Sequence, residues 1–147
     1  MQSERVIARL RVFEAVCRER RLPVTVQRRA ILEAVLRRDD HPTADDIFEG
    51  VQDSIPQLSR TTVYRVLDTL VELGFVRRIH ETGTARFDGN VAHHHHLICA
   101  KCGKIIDLDD PALDQLTLTS PEPQGFRIDD YSIHFSGTCP ECRKQEA

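Results

Sequence analysis

Cys99-Ala-Lys-Cys102 and Cys139-Pro-Glu-Cys142 are two CxxC pairs with 36 residues between them. A CxxC knuckle aims two thiolates at one point, and two knuckles complete a tetrahedral all-sulfur site, the geometry preferred by structural zinc. Gly103 supplies the tight turn that the first knuckle needs. The interval exceeds ordinary ribbon spacing, so the intervening segment must fold as a unit of its own. The rivals are two disulfides or one redox CxxC. An intracellular setting disfavours the first, and the second lacks a βαβ pattern. Just before the first pair stands His93-His94-His95-His96, leading into Leu97-Ile98-Cys99, which favours a strand. Side chains alternate along a strand, so His94 and His96 share one face and His93 and His95 the other. A loop of incidental histidines is the alternative. Imidazoles beside carboxylates suit a five- or six-coordinate Fe2+ or Mn2+ ion, and also Zn2+. Asp88 lies upstream, and Asp107, Asp109, Asp110 and Asp114 lie downstream. Spacing alone leaves open which aspartate joins which pair.

The elements that must position these groups divide into two modules. Residues 1–90 hold 15 Arg and no Lys against 14 acidic residues, net +1, whereas residues 91–147 carry net −4. All Cys except Cys17, and all His except His41 and His80, fall in the second. The first module reads as helical. Val6, Leu10, Phe13 and Cys17 recur at helical spacing over Ser3–Arg20, which makes Cys17 a small core residue. Thr25 caps a second helix through Leu36, and Thr43-Ala44-Asp45-Asp46 opens a third with a capping-box pattern. Ser59 caps a fourth, whose Val63, Val66, Leu67, Leu70 and Val71 form one apolar stripe before Gly74. Phe75–His80 and Thr84–Asp88 then read as strands joined through Glu81-Thr82-Gly83. Helices followed by a hairpin give a winged helix-turn-helix with one extra helix ahead of it.

On that layout the fourth helix is a recognition helix. Arg60 and Arg65 reach phosphates or guanine edges, and Thr61, Thr62 and Tyr64 add hydroxyl or methyl contacts. Arg77 and Arg78, with Arg86, suit a wing lying along the DNA backbone. Arg28 and Arg29 add phosphate contacts. Any one of these arginines alone reads as ordinary surface charge; the layout carries the hypothesis. Seven His and five Cys in 147 residues, with 40% hydrophobic content and net charge −3, describe a globular protein that does not coat nucleic acid by charge alone. No apolar run reaches the roughly 18 residues of a membrane span. Met1 leads into an Arg-rich stretch rather than a secretory signal, so a cytoplasmic location is expected. A metalloenzyme using the His/Asp cluster to activate water is the distant alternative, and no HExxH motif supports it.

Val24-Thr25-Val26-Gln27-Arg28, His41-Pro-Thr-Ala-Asp-Asp-Ile47, Thr61-Thr62-Val63-Tyr64-Arg65, the segment His93–Gly103 and the closing CxxC together resemble the ferric uptake regulator superfamily over nearly the whole chain. The similarity is greatest to its peroxide-responsive repressor branch. That resemblance implies an α+β protein: a winged-helix DNA-binding domain over 1–90 and a small α/β dimerisation domain over 91–147. It implies a structural zinc on Cys99, Cys102, Cys139 and Cys142, and a regulatory Fe2+ or Mn2+ site, open to Zn2+ in vitro, on His41, Asp88, His94, His96 and Asp107. Double-stranded DNA with an inverted-repeat operator and a second copy of the chain are the implied partners. Peroxide would oxidise His41 or His94; a repressor that follows iron or manganese level without peroxide chemistry is the alternative. The superfamily's additional metal site would fall on His93, His95 and Asp114, with a fourth ligand where this chain has Tyr131, so a weak or absent site is expected. His134 is expected on a strand surface.

Overall fold

Three of the four helices of the first unit begin at a side-chain cap that the sequence encodes, Thr25, Thr43 and Ser59. In the computed structural model, which describes residues 1–80 and 83–146, the chain divides into two units, Met1–Val91 and Ala92–Ala147. Helix α1 (Gln2–Glu19) buries Val6, Leu10, Phe13 and Cys17 on one stripe. Burial pushes the Cys17 thiol above its ordinary pKa, as befits a core side chain. Helix α2 (Val26–Leu36) starts where the Thr25 side chain accepts the Arg28 N–H. Helix α3 (Ala44–Gln52) has a reciprocal capping box: Thr43 Oγ1 accepts from Asp46 N at 3.1 Å, and Asp46 Oδ2 accepts from Thr43 N at 2.9 Å. Helix α4 (Arg60–Glu72) is capped by Ser59 and buries Val63, Val66, Leu67 and Leu70.

Gly74, at φ 78°, ends α4, with Phe75 N donating to Leu70 O and Gly74 N to Val71 O. That termination explains why the hairpin is shorter than its sequence suggests. Phe75 closes the helix and meets Phe13 edge-to-face at 5.4 Å in the core, so pairing begins only at β1 (Arg77–Ile79). Strand β2 (Arg86–Asp88) runs antiparallel to it, Arg77 opposite Asp88. Of the expected connection, Glu81 and Thr82 lie outside the described residues. Strand β2 is also stitched to the approach to α3, through Phe87 N–H to Pro42 O at 2.8 Å and a Thr43–Arg86 bridge.

The second unit is a three-stranded sheet, order β4-β3-β5. Strand β3 (His95–Cys99) is central, β4 (Ile105–Leu108) pairs antiparallel and β5 (His134–Gly137) parallel. The connection from β4 to β5 contains two 3-10 turns, Leu113–Gln115 and Pro123–Gly125. Helix α5 (Pro140–Lys144) opens with proline at its first position, where the missing N–H costs nothing. No helix among the described residues is long and apolar enough to cross a membrane.

Candidate metal centre

The parallel pairing of β3 with β5 brings the two cysteine knuckles together. Cys99 ends β3 opposite Gly137, and Cys139 caps α5, which carries Cys142. Gly103, at φ 75°, folds the first knuckle back so that its N–H reaches Cys99 O at 2.9 Å. All four sulfurs lie within 4.8 Å of one another, and none forms a disulfide. Cys102 and Cys139 sulfurs stand 3.7 Å apart. Tetrahedral zinc with Zn–S bonds of about 2.3 Å requires about 3.8 Å, so the donor set fits. Backbone N–H groups of Cys102 and Cys139 hold the Cys99 thiol down to about 6, while Cys142, hydrogen-bonded to Cys139, is pushed up to about 12. Four thiolates at one point need a cation before all can be charged.

Upstream on the same chain segment, the histidines alternate as expected. His94 and His96 face each other, Nε2 to Nε2, at 3.0 Å, and both stand 3.4 Å from Asp107 Oδ1. Register selects that aspartate, since His96 lies directly opposite Asp107 on β4. Asp110 is used otherwise: its carboxylate accepts the Ala112 N–H. His94 Nδ1 lies 2.7 Å from the Ala92 carbonyl, an acceptor only. Its proton therefore sits on Nδ1, and Nε2 keeps the lone pair that a metal needs. Adjacent ligands around an octahedral ion at about 2.1 Å stand about 3.0 Å apart, the separation of the two imidazole nitrogens, with Asp107 Oδ1 farther out at 3.4 Å. His134, which the sequence places on a strand surface, is instead half-buried and stacks on His96 with ring centres 5.1 Å apart. Only the parallel register, His96 opposite His134, reveals that contact.

In the first unit, His41 Nε2 stands 3.4 Å from Asp88 Oδ2, and both side chains are buried. His41 takes the left-handed φ of 54°, which is uncommon outside glycine. The Arg86 guanidinium donates to its carbonyl at 3.2 Å. The Asp88 carboxylate accepts the Asn90 N–H at 2.8 Å, and the next carbonyl, Gly89 O, accepts from Arg9, whose other nitrogen reaches Phe75 O at 2.9 Å. Arg86 and Arg9 hold the backbone beside these two side chains. Their roles were invisible in sequence because each acts on a residue more than 40 positions away.

A third group, His93, His95 and Asp114, also converges. Asp114 Oδ1 lies 3.2 Å from His93 Nε2 and 3.0 Å from His95 Nε2. Tyr131, in the position of the expected fourth ligand, donates its hydroxyl to Leu113 O.

The nucleic-acid candidates fall on α4 and the hairpin. Thr61, Tyr64 and Arg65 are exposed. Thr62 is tied into the cap, its Oγ1 2.9 Å from Ser59 Oγ. Arg60 is paired with Asp45 at 2.5 Å and lies over the Phe48 ring. Arg78 pairs with Asp68 and lies over Phe87, and Arg77 is half-buried on β1.

The sequence model of the ferric uptake regulator family matches residues 19–136. The peroxide operon regulator of Bacillus subtilis is 37% identical over 124 residues, 84% of this chain and 86% of that protein. Among solved structures, the Helicobacter pylori ferric uptake regulator, reported with three functional metal binding sites, superposes with TM-score 0.81 at 22% identity, covering 97% of this chain and 96% of that one. A zinc uptake regulator complexed with zinc and DNA gives TM-score 0.69 at 26% identity, covering 96% and 97%. The chain belongs to the ferric uptake regulator family.

Proposed function

We propose that this chain is a cytoplasmic, metal-dependent DNA-binding repressor that responds to peroxide, and that it is a regulator rather than an enzyme. The observation that carries the reading is the trio His94, His96 and Asp107, with the Ala92 carbonyl turning the His94 lone pair toward Asp107. The buried pair His41 and Asp88 supplies the remaining nitrogen and oxygen ligands for Fe2+ or Mn2+. The four cysteines hold a structural zinc. When bound, Fe2+ supplies the redox chemistry through which peroxide oxidises a ligand imidazole, His41 or His94. Each half of the ligand set belongs to one unit, so binding requires one arrangement of the two, and metal and DNA affinity are reciprocally linked.

Residues 1–90 serve as the DNA-binding domain. Thr61, Tyr64 and Arg65 present donors from α4 to base edges and phosphates, and Arg60, Thr62, Arg77 and Arg78 flank them. Residues 91–147 serve as the dimerisation domain. Leu97 sits opposite Ile106 on one neighbour and Phe135 on the other, and the three form an apolar row exposed by 41%, 42% and 47%. A second copy covers that row. A homodimer then offers two α4 helices to half-sites about 34 Å apart on an inverted repeat. Names of relatives support the same reading, among them the Bacillus subtilis peroxide operon regulator.

The test combines two measurements on the full chain. Inverted-repeat DNA is selected from a random pool, and its affinity is measured with and without Mn2+; binding is expected only with metal. The Fe2+ form, prepared without oxygen, is then treated with peroxide and digested for mass spectrometry. An added oxygen on the peptide bearing His41 or His94, with loss of DNA binding, is expected. Metal-dependent binding without that adduct identifies a metal-level regulator instead, and hydrolysis without DNA binding identifies a metalloenzyme.

A further inference from the structure

The third cluster has the composition of a metal site, yet its hydrogen bonds give the histidine the wrong tautomer. The Ile133 backbone N–H donates to His95 Nδ1 at 3.0 Å. An amide has only a proton to offer, so Nδ1 must present its lone pair, and the ring proton sits on Nε2. That nitrogen faces Asp114 Oδ1 at 3.0 Å and donates to it. The neighbouring His94 is the mirror case: a carbonyl at its Nδ1 leaves the lone pair on Nε2, whereas an amide at the Nδ1 of His95 leaves the proton there. His95 is fully buried, and Ile133 is itself fixed, since its carbonyl accepts the His96 N–H at 3.0 Å.

Tyr131 completes a different construction. Its hydroxyl donates to Leu113 O and accepts from Leu116 N at 3.3 Å, so it binds both ends of the 3-10 turn that carries Asp114. Its ring stacks on His95, with centres 5.9 Å apart and planes 27° from parallel. His93 adds contacts to Asp114 at 3.2 Å and to Asp130 at 3.3 Å. The long link between β4 and β5 has no regular element beyond its two short turns, so ordering it needs an anchor.

We infer that His93, His95, Asp114 and Tyr131 form a metal-independent clamp that pins this link to the sheet, in place of a third metal site. The Nε2 proton of His95 is a part of the clamp, and a cation at Asp114 would have to displace it. The Tyr131 hydroxyl does mechanically what a fourth nitrogen ligand would do through an ion. The inference does not depend on what the trio around Asp107 binds.

The test is nitrogen-15 NMR of the histidine rings in the zinc-containing full chain, before and after excess Zn2+. His95 is expected to show a protonated Nε2 and a bare Nδ1, unchanged by added zinc. The reverse tautomer, or movement of its Nε2 resonance to a metal-bound value, overturns the inference. Two variants extend the test. Tyr131→Phe keeps the stacked ring but removes the hydroxyl, so exchange of the Leu116 amide is expected to quicken about tenfold, the scale of one lost hydrogen bond. Unchanged Leu116 exchange means the hydroxyl pins nothing. Tyr131→His restores a fourth nitrogen; with the proton still on His95, tightly held zinc per chain stays the same, and one more equivalent would defeat the clamp.

Discussion

His94 and His95 are adjacent and identical in side chain, and they differ in chemistry through one backbone atom each. Alternation on a strand separates their faces and is readable from sequence. The tautomer is not, because it is set by Ala92 O for one and by Ile133 N–H for the other, the latter 38 positions away. Asp107 enters the same logic through register with His96. Asp107→Ala is expected to weaken Mn2+ binding by more than about tenfold, as loss of a ligand exceeds loss of an outer-shell partner. Zinc content should stay unchanged; isothermal titration and metal analysis check both. Gly89, next to Asp88, makes a second case. A Cβ there would meet Leu36 Cδ2 at 3.2 Å and Leu36 Cα at 3.4 Å. Only the first is tighter than ordinary contact, and it is the far end of a side chain that can turn aside. The reduced freedom of the unfolded chain, about 0.4–1 kcal/mol, then offsets the crowding, and Gly89→Ala should change the urea midpoint little at unchanged slope.

Helices were legible because caps and apolar period are local: Thr25, Thr43 and Ser59 each cap the helix that follows. Strands were less so. Phe75 has strand character, yet α4 uses it to close its own end, and the β3–β5 pairing joins residues that only the folded chain brings together. The α3 capping box permits a quantitative statement. The Thr43 N–H donates to the Asp46 carboxylate and holds its pKa below the usual value. A carboxyl lowered by folding stabilises the native state above its unfolded pKa, about 3.9, and that contribution fades as pH falls through the folded value. Asp46→Ala should cost about 1 kcal/mol at pH 7. The gap from the parent chain should narrow as pH falls below about 4, as thermal melts at descending pH would register. On the adjacent element, Asp45 holds Arg60 at the N-terminus of α4. If α4 reads DNA, a phosphate must replace that carboxylate. Asp45→Asn should then raise affinity for the selected operator a few-fold at low salt, and the gain should shrink as salt rises; unchanged affinity would remove Arg60 from the interface.

The two units are built on different physical terms. The first has a core of its own, running from Val6 to Phe87, that joins four helices to the hairpin. Among the described residues, the buried side chains of the second are Cys99, Ile105, Cys142 and three histidines. Such an interior removes little apolar surface from water, and a unit of this size rarely stands on so small a core. Zinc on the four sulfurs, as proposed above, would add the missing cohesion, because metal binding free energy would then be folding free energy. The acidic excess of this unit, net −4 over 91–147, works against compaction and adds to the dependence on a cation. Replacing one knuckle sulfur, as in Cys142→Ser, leaves three sulfur ligands where a structural zinc takes four. Amide exchange in the zinc-free chain or in Cys142→Ser should therefore lose protection across 92–146, while α1 to α4 keep theirs and melt in a separate, later transition. Calorimetry of the parent with and without a strong chelator supplies the second reading. A single transition that takes both units together would mean that the core of the first depends on the metal of the second, contrary to the way the buried residues are divided between them.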